Sequence, residues 1–170
     1  MTSTAPALAP TELRSVLGRM PTGVVVVTTA TPTGQEARTA NSFTSVSLTP
    51  PLVSVCFRTQ STFTARLRAS GRWAVSVLAE DQDEVSRHFA NPATASDLTA
   101  VPHVSGAHTS AALLTDSLAS LECRTMTAQQ AGDHVLFIGE VLRLHLHREA
   151  PPLVFCRGAY HPGPHAGFRY

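Results

Sequence analysis

Residues 39–52 read TANSFTSVSLTPPL, and their first nine set five hydroxyls and one amide, on Thr39, Asn41, Ser42, Thr44, Ser45 and Ser47, between the apolar runs 24–27 and 52–57. In a continuous strand, side chains alternate between faces, so Thr39, Asn41, Ser45 and Ser47 share one side and Ala40, Ser42, Thr44 and Val46 the other. A polar surface without charge can meet the acceptors of a polar ligand; the same residue types also occur on half-exposed strands that bind nothing. Two further groups could do chemistry. Ser61 and Thr62 follow Arg58 at the start of a short amphipathic stretch, where hydroxyls either cap a helix or, with the free backbone N–H groups, receive an anion. Gly132-Asp133-His134 reads as a hairpin turn and equally as a histidine with a carboxylate neighbour, a possible proton source.

Other chemistries are argued against by what is missing. The chain has no Lys, so Schiff-base chemistry is out, and no G-x-G-x-x-G or G-x-x-x-x-G-K-[ST] element marks a Rossmann or P-loop unit. His145 and His147 lie two apart on one strand face, and His161 and His165 flank a Pro-Gly-Pro, but no converging third or fourth ligand accompanies them. Solvent-facing strand histidines, and no metal, are expected. Cys56, Cys123 and Cys156 are odd in number, far apart and set in apolar runs, which suits buried structural thiols.

The elements that must hold these groups follow from periodicity. At 170 residues the chain fits one domain, residues 11–170, behind a loose Ala/Pro/Thr-rich tail, residues 1–10. Thr11 is a candidate N-cap for a helix with Leu13, Val16, Leu17 and Met20 on one face. Residues 24–29 form a buried strand, turned by TPTGQ into the hydroxyl-rich strand; Thr49-Pro50-Pro51 breaks that strand before the next, residues 52–57. A helix with Phe63 and Leu67 inward leads to strand 73–78. Asp81 and Glu84 then form a capping box for a helix with Val85 and Phe89 inward. Residues 91–109 read as a long surface loop or lid. Strand 118–126, a turn at 128–132, strand 134–146 and a last strand at 153–156 complete the chain. Mostly hairpin-spaced strands with short helices point to a mainly β fold, a mainly antiparallel barrel with helical decorations.

Charged residues make up only 15%, which suits a homodimer with a buried interface, and the thirteen basic residues, all Arg, are scattered, which argues against nucleic acid. No apolar run is long enough to span a membrane and no signal peptide is evident, so a cytoplasmic protein is expected.

The order PTGVVVVTT, TANSFTSVSLTPPLVSV, WAVSVLAEDQ with HFA, LASLECR, AGDHVLFIGEV and PPLVFCRGAY resembles the short-chain flavin reductase family over about residues 11–161. The resemblance implies a split-barrel protein that reduces FMN, or FAD, with NADH or NADPH and supplies a partner flavin-dependent monooxygenase. It places Thr39, Ala40, Asn41 and Ser42 at the isoalloxazine edge with Ser45, Val46 and Ser47 nearby, and Arg58, Ser61 and Thr62 at the ribityl phosphate. It puts His134 near the nicotinamide as the catalytic candidate, with Arg87, Phe89 and Tyr160 toward the flavin or pyridine nucleotide. The chain departs from the pattern after HFA, where such reductases carry an Arg-Phe pair and this chain reads NPATASDLTAVPHVSGAHTSAALLTD. Two other readings keep the fold: a flavin carrier without reductase activity, and a flavin enzyme acting directly on an organic substrate.

Overall fold

A computed structural model describes residues 8–99 and 101–164. Its centre is a seven-stranded antiparallel sheet of order β3-β2-β6-β9-β10-β5-β4, comprising β2 (Val25–Thr31), β3 (Gly34–Ala40), β4 (Thr44–Leu48), β5 (Pro51–Arg58), β6 (Arg72–Val77), β9 (Ala119–Ala131) and β10 (His134–Leu146). The edge strands β3 and β4 carry no ladder to each other, so the barrel stays open along that seam. Beside it lie the small sheet β1 (Thr22–Gly23), β11 (Leu153–Cys156) and β12 (Ala159–Pro162), and the pair β7 (His103–Ser105) and β8 (Ala112–Leu114). The helices are α1 (Pro10–Leu17), α2 (Thr62–Ser70) and α3 (Asp83–Ala90). The expected antiparallel, mainly β class holds.

Alternation along the strands feeds two cores. Val25, Val27, Val53, Val55, Phe57, Trp73, Val75, Val135 and Phe137 face the barrel interior, and α2 adds Phe63 and Leu67 to it. Gly139 makes room for the Trp73 ring, since a Cβ there would lie 2.3 Å from Cζ2. Val24, Val26 and Ala37 face outward into a second core with Leu78, Phe89, Leu98, Val101, Ala112 and Leu114. Residues 91–109 are therefore no free lid. Ala95 and Leu98 are buried, and the segment roofs the outer face of β2, β3 and β6.

Several local expectations need correction. Pro10, not Thr11, opens α1, with Ala9 at the N-cap and Thr11 inside the helix. The apolar stripe of α1 faces outward: Leu13, Val16, Leu17 and Met20 are 49–65% exposed. Gln82 stands at the N-cap of α3 in place of a capping box, because Asp81 is engaged by Arg148 through two hydrogen bonds of 2.5 and 3.0 Å. The turn expected at 128–132 shrinks to Gly132-Asp133, with Gly132 at φ 62°, and β9 runs on to Ala131. The expected tail falls mostly, and His165 wholly, outside the described residues.

Candidate functional site

The hydroxyl-rich segment is not one strand. The chain leaves the sheet after Ala40, crosses the open seam through residues 41–43 and re-enters at Thr44. Ser42 fixes the crossing: its Oγ donates to the Cys56 carbonyl and accepts the Cys56 N–H, both at 3.1 Å. An irregularity at Val46 then flips the alternation, so that Ser45 lies opposite Val53 and Ser47 opposite Leu52. Thr39, Asn41, Ser45 and Ser47 therefore do not share a face. Thr39 points outward and donates to the Ser86 carbonyl at 2.6 Å, and the Ser47 hydroxyl accepts the Thr49 N–H in the β4–β5 turn. Ala40 is buried in the barrel core and Val46 is half exposed. The side chains of Asn41, Thr44 and Ser45 have no internal hydrogen bond among the described residues.

Following β5 from Cys56 leads to the second group. Arg58 ends the strand opposite His134 of β10, and the chain turns into α2 with Ser61 at its N-cap. The Ser61 side chain makes no capping bond, although its position calls for one. The first-turn N–H groups and the Ser61 and Thr62 hydroxyls are thus left to an external acceptor. Arg58 lines an open groove of about 310 Å³ with Thr59, Gln60, Gln130, Gly132 and Asp133. His134 Nδ1 lies 2.8 Å from Asp133 Oδ1, and that hydrogen bond, helped by the histidine's charge, holds the exposed Asp133 carboxyl below its ordinary pKa. Both readings of the GDH element hold at once: a tight turn and a histidine oriented by a carboxylate.

On the other side of residues 39–41 lies a hollow lined by Val24, Thr39, Ala40, Asn41, Phe155 and Tyr160. The Ser86 hydroxyl donates to the Tyr160 oxygen at 2.8 Å, and the Arg87 guanidinium carbon sits 4.8 Å from the centre of the Tyr160 ring. Tyr160 thus stays at the mouth with Arg87 stacked on it. Phe89 does not: it is completely buried in the outer core, a packing residue with no surface for a ligand.

Sequence reasoning missed two charged groups. Glu122 is fully buried, and its Oε2 accepts the N–H groups of His108 and Thr109 and the Thr109 hydroxyl at 2.7–3.0 Å, while Oε1 lies 3.2 Å from His145 Nε2. Burial alone would raise its pKa; these hydrogen bonds outweigh burial and bring it below the ordinary value. His145 and His147 are accordingly half-buried, with parallel rings 6.3 Å apart, and not the solvent-facing pair expected. The other group is Arg38, whose Nη1 is buried with no hydrogen-bond partner. Its signal in the sequence is the alternation of β3, GQEARTA, which sets Arg38 opposite the core residue Val27 and on the same face as Glu36 and Ala40. Of the cysteines, Cys123 is buried, with burial pushing its thiol up to about 12, while Cys56 and Cys156 are half-buried. No cluster of three metal-ligating side chains occurs among the described residues, and no described helix is long and apolar enough to cross a membrane.

The site therefore offers uncharged donors at a seam, an uncapped helix N-terminus, arginines and a histidine–carboxylate pair at one end of the barrel, a donor set that fits a phosphorylated heterocycle. Comparison with known proteins agrees. Residues 17–164 match the flavin reductase like domain. An NADH-dependent flavin reductase of Rhodococcus sp is 39% identical over 94% of this chain and 92% of its own length. An NADH-dependent FAD reductase of Streptomyces globisporus is 43% identical over 77% of this chain and 73% of its own. Among solved structures, the flavin reductase component of a bacterial two-component tryptophan halogenase superimposes with a TM-score of 0.86 at 38% identity, covering 92% of this chain and 99% of that one. The Streptomyces globisporus NADH:FAD oxidoreductase in complex with NAD and FAD fragments gives 0.85 at 37% identity, covering 92% and 96%. With a family model spanning most of its length and a 39% identical relative alike along 92% of its own, this chain belongs to the flavin reductase family.

Proposed function

We propose that the protein is an NADH-dependent flavin reductase, with FMN or FAD as acceptor, that supplies reduced flavin to a flavin-dependent monooxygenase. The observation that carries the reading is the set of side chains without internal partners, Asn41, Ser45, Ser61 and Thr62, along the open seam and the α2 N-terminus. Relatives named as NADH-dependent reductases and as the reductase subunit of a flavin-dependent monooxygenase in Rhodococcus jostii support the activity and the partner.

When bound, flavin supplies an acceptor for a hydride from the nicotinamide. The chain's own contribution is placement, because hydride transfer depends on stacking and exclusion of water more than on an acid. Asn41 and Ser45 hold the polar edge of the ring, Ala40 and Val46 bound it, and Ser42 keeps the crossing rigid through Cys56. Ser61, Thr62 and Arg58 hold the phosphate at the positive end of α2. His134, oriented by Asp133, tunes nicotinamide binding and rate, and Tyr160 with Arg87 shapes the opposite rim. Thr39 and Ser47 act indirectly, by bracing Ser86 and the β4–β5 turn. Residues 11–170 work as one flavin-binding unit in the cytoplasm, and two copies pair through apolar surface that includes the outward stripe of α1 and the exposed Leu48, Leu144 and Leu146.

The test is NADH oxidation with added FMN, FAD or riboflavin. Turnover with a flavin alone supports the reductase. Flavin binding without turnover would make the protein a carrier, and turnover that requires a third compound would make it a direct oxidoreductase.

A further inference from the structure

The Glu36–Arg66 pair ties α2 to β3, and contacts of the neighbouring strands beyond each end of the helix give its direction. At its C-terminal end, the Thr29 hydroxyl of β2 donates to the Arg72 carbonyl just beyond the helix, at 2.9 Å. Thr29 is the register partner of Glu36 on β3, and the Glu36 carboxylate pairs with Arg66 in the middle of α2. At the other end, Ser42 is bonded to Cys56, and Cys56 leads in two residues to Arg58, whose carbonyl accepts the Thr64 hydroxyl in the first turn of α2. Moving along β3 from Glu36 toward Ser42 is therefore moving from the middle of α2 toward its N-terminus.

Arg38 is the next inward-facing residue on that path. It is paired with Val27, whose side chain is in the barrel core, so Arg38 lies on the same face as Glu36 and Ala40. One helical turn before Arg66 is Thr62. Arg38 therefore stands on β3 one step from Glu36 in the direction of the uncapped first turn of α2. Glu36 does not neutralise it, being already engaged by Arg66 and by the Ser96 hydroxyl at 3.1 Å. Its Nη1 is shut off from water without an acceptor, and no salt bridge among the described residues includes it. A buried guanidinium N–H with nothing to donate to is costly, and an anion is what removes the cost.

We propose that Arg38 is a phosphate-binding residue that selects phosphorylated flavins over riboflavin. It rests on the reading that places the flavin phosphate at Ser61 and Thr62, and adds to that reading a planar, permanently charged donor from the opposite wall. Arg58 reaches the phosphate from the exposed groove; Arg38 reaches it from the barrel side, where the lower dielectric strengthens the contact.

The test compares dissociation constants of FMN and riboflavin, by flavin fluorescence, for the full chain and for R38M, R38Q and the double variant S61A/T62A. Arg38→Met and Arg38→Gln are expected to weaken FMN roughly ten- to hundredfold, the value of one charge-assisted contact, and to leave riboflavin within about twofold. The flavin-free melting temperature should hold or rise, because the guanidinium has no internal partner to lose. Unchanged FMN affinity, equal weakening of both flavins, or failure of both single variants to fold would each overturn the proposal. The double variant separates the two levels. Loss of FMN preference in S61A/T62A but not in the Arg38 variants sinks Arg38 alone, whereas full FMN preference in S61A/T62A sinks the placement of the phosphate itself.

Discussion

Glu122 is fully buried and Arg38 is half-buried with its Nη1 shut off from water, and the protein treats the two in opposite ways. On the outer face of β9, the Glu122 carboxylate is met by two backbone N–H groups, a hydroxyl and an imidazole, all supplied by the chain. On the inner face of β3, Arg38 Nη1 has no partner, and at the start of α2 Ser61 leaves its cap unmade. Satisfaction from within is what a structural charge looks like: it pins residues 106–111 against the sheet and leaves no capacity for a ligand. Donors left without an internal partner are groups that a ligand can complete from outside. The contrast separates scaffold from site more clearly than residue type does, since both regions are rich in Ser and Thr.

The contrast can be broken hardest at Glu122. Glu122→Ala strands two backbone donors and His145 and should cost about 3 to 5 kcal/mol in urea unfolding, with flavin affinity per folded molecule unchanged. A loss confined to flavin binding would contradict the division. Gly106→Ala comes next, because a Cβ there would lie 2.5 Å from Glu122 Oε2 and 2.8 Å from Thr109 Oγ1; a stability loss of about 1 to 3 kcal/mol is expected. At the seam the signs reverse. Asn41→Ala and Ser45→Ala should leave the flavin-free unfolding midpoint in place and weaken flavin binding by about 0.5 to 1.5 kcal/mol for each lost hydrogen bond, read by titration.

The smallest expected effect is in the pH dependence of stability. Burial, then the neighbouring His145, lowers the pKa of His147 from its ordinary 6.5. The unfolded chain therefore takes up the proton first, and the stability due to neutral His147 is complete above pH 6.5 and declines as pH falls below it. Glu122, also lowered, contributes fully above its ordinary 4.5 and is lost as pH falls further, through its depressed folded value. His147→Asn should flatten the first decline and Glu122→Gln the second. A pH-independent midpoint between 7 and 4 in the unaltered protein would show that the polar cluster is not held as described.

How much of this was legible depended on the range of the interactions involved. Strands set by their own period were read to the residue, as with β10 at His134–Leu146 and β11 at Leu153–Cys156. The β2–β3 hairpin followed from TPTGQ. Features decided by a distant partner were not. The capping box at Asp81 and Glu84 was locally sound, yet Arg148, 67 residues away, claims Asp81. The packing of residues 91–109 depends on Leu98 and Val101 meeting Val24 and Val26, and aperiodic spacing concealed it. At the candidate site, the segment stood out because hydroxyls between apolar strands are conspicuous. Its internal geometry did not, because one unpaired crossing and one irregularity at Val46 undo the simple alternation.

The small sheet beside the Tyr160 hollow bears on the order of assembly. Its β1–β11 ladder joins Thr22 to Phe155, 133 positions apart, through only two register pairs. Such a closure sacrifices chain freedom early for little return, so the hairpins of the central sheet form before it and this corner docks late. The same corner is then the first to open in the native state, and amide exchange in β11 and β12 should outpace that in β9 and β10. Because Phe155 and Tyr160 line the hollow, a ligand seated there acts as a latch on the last piece to arrive, slowing its opening without touching the rest of the barrel.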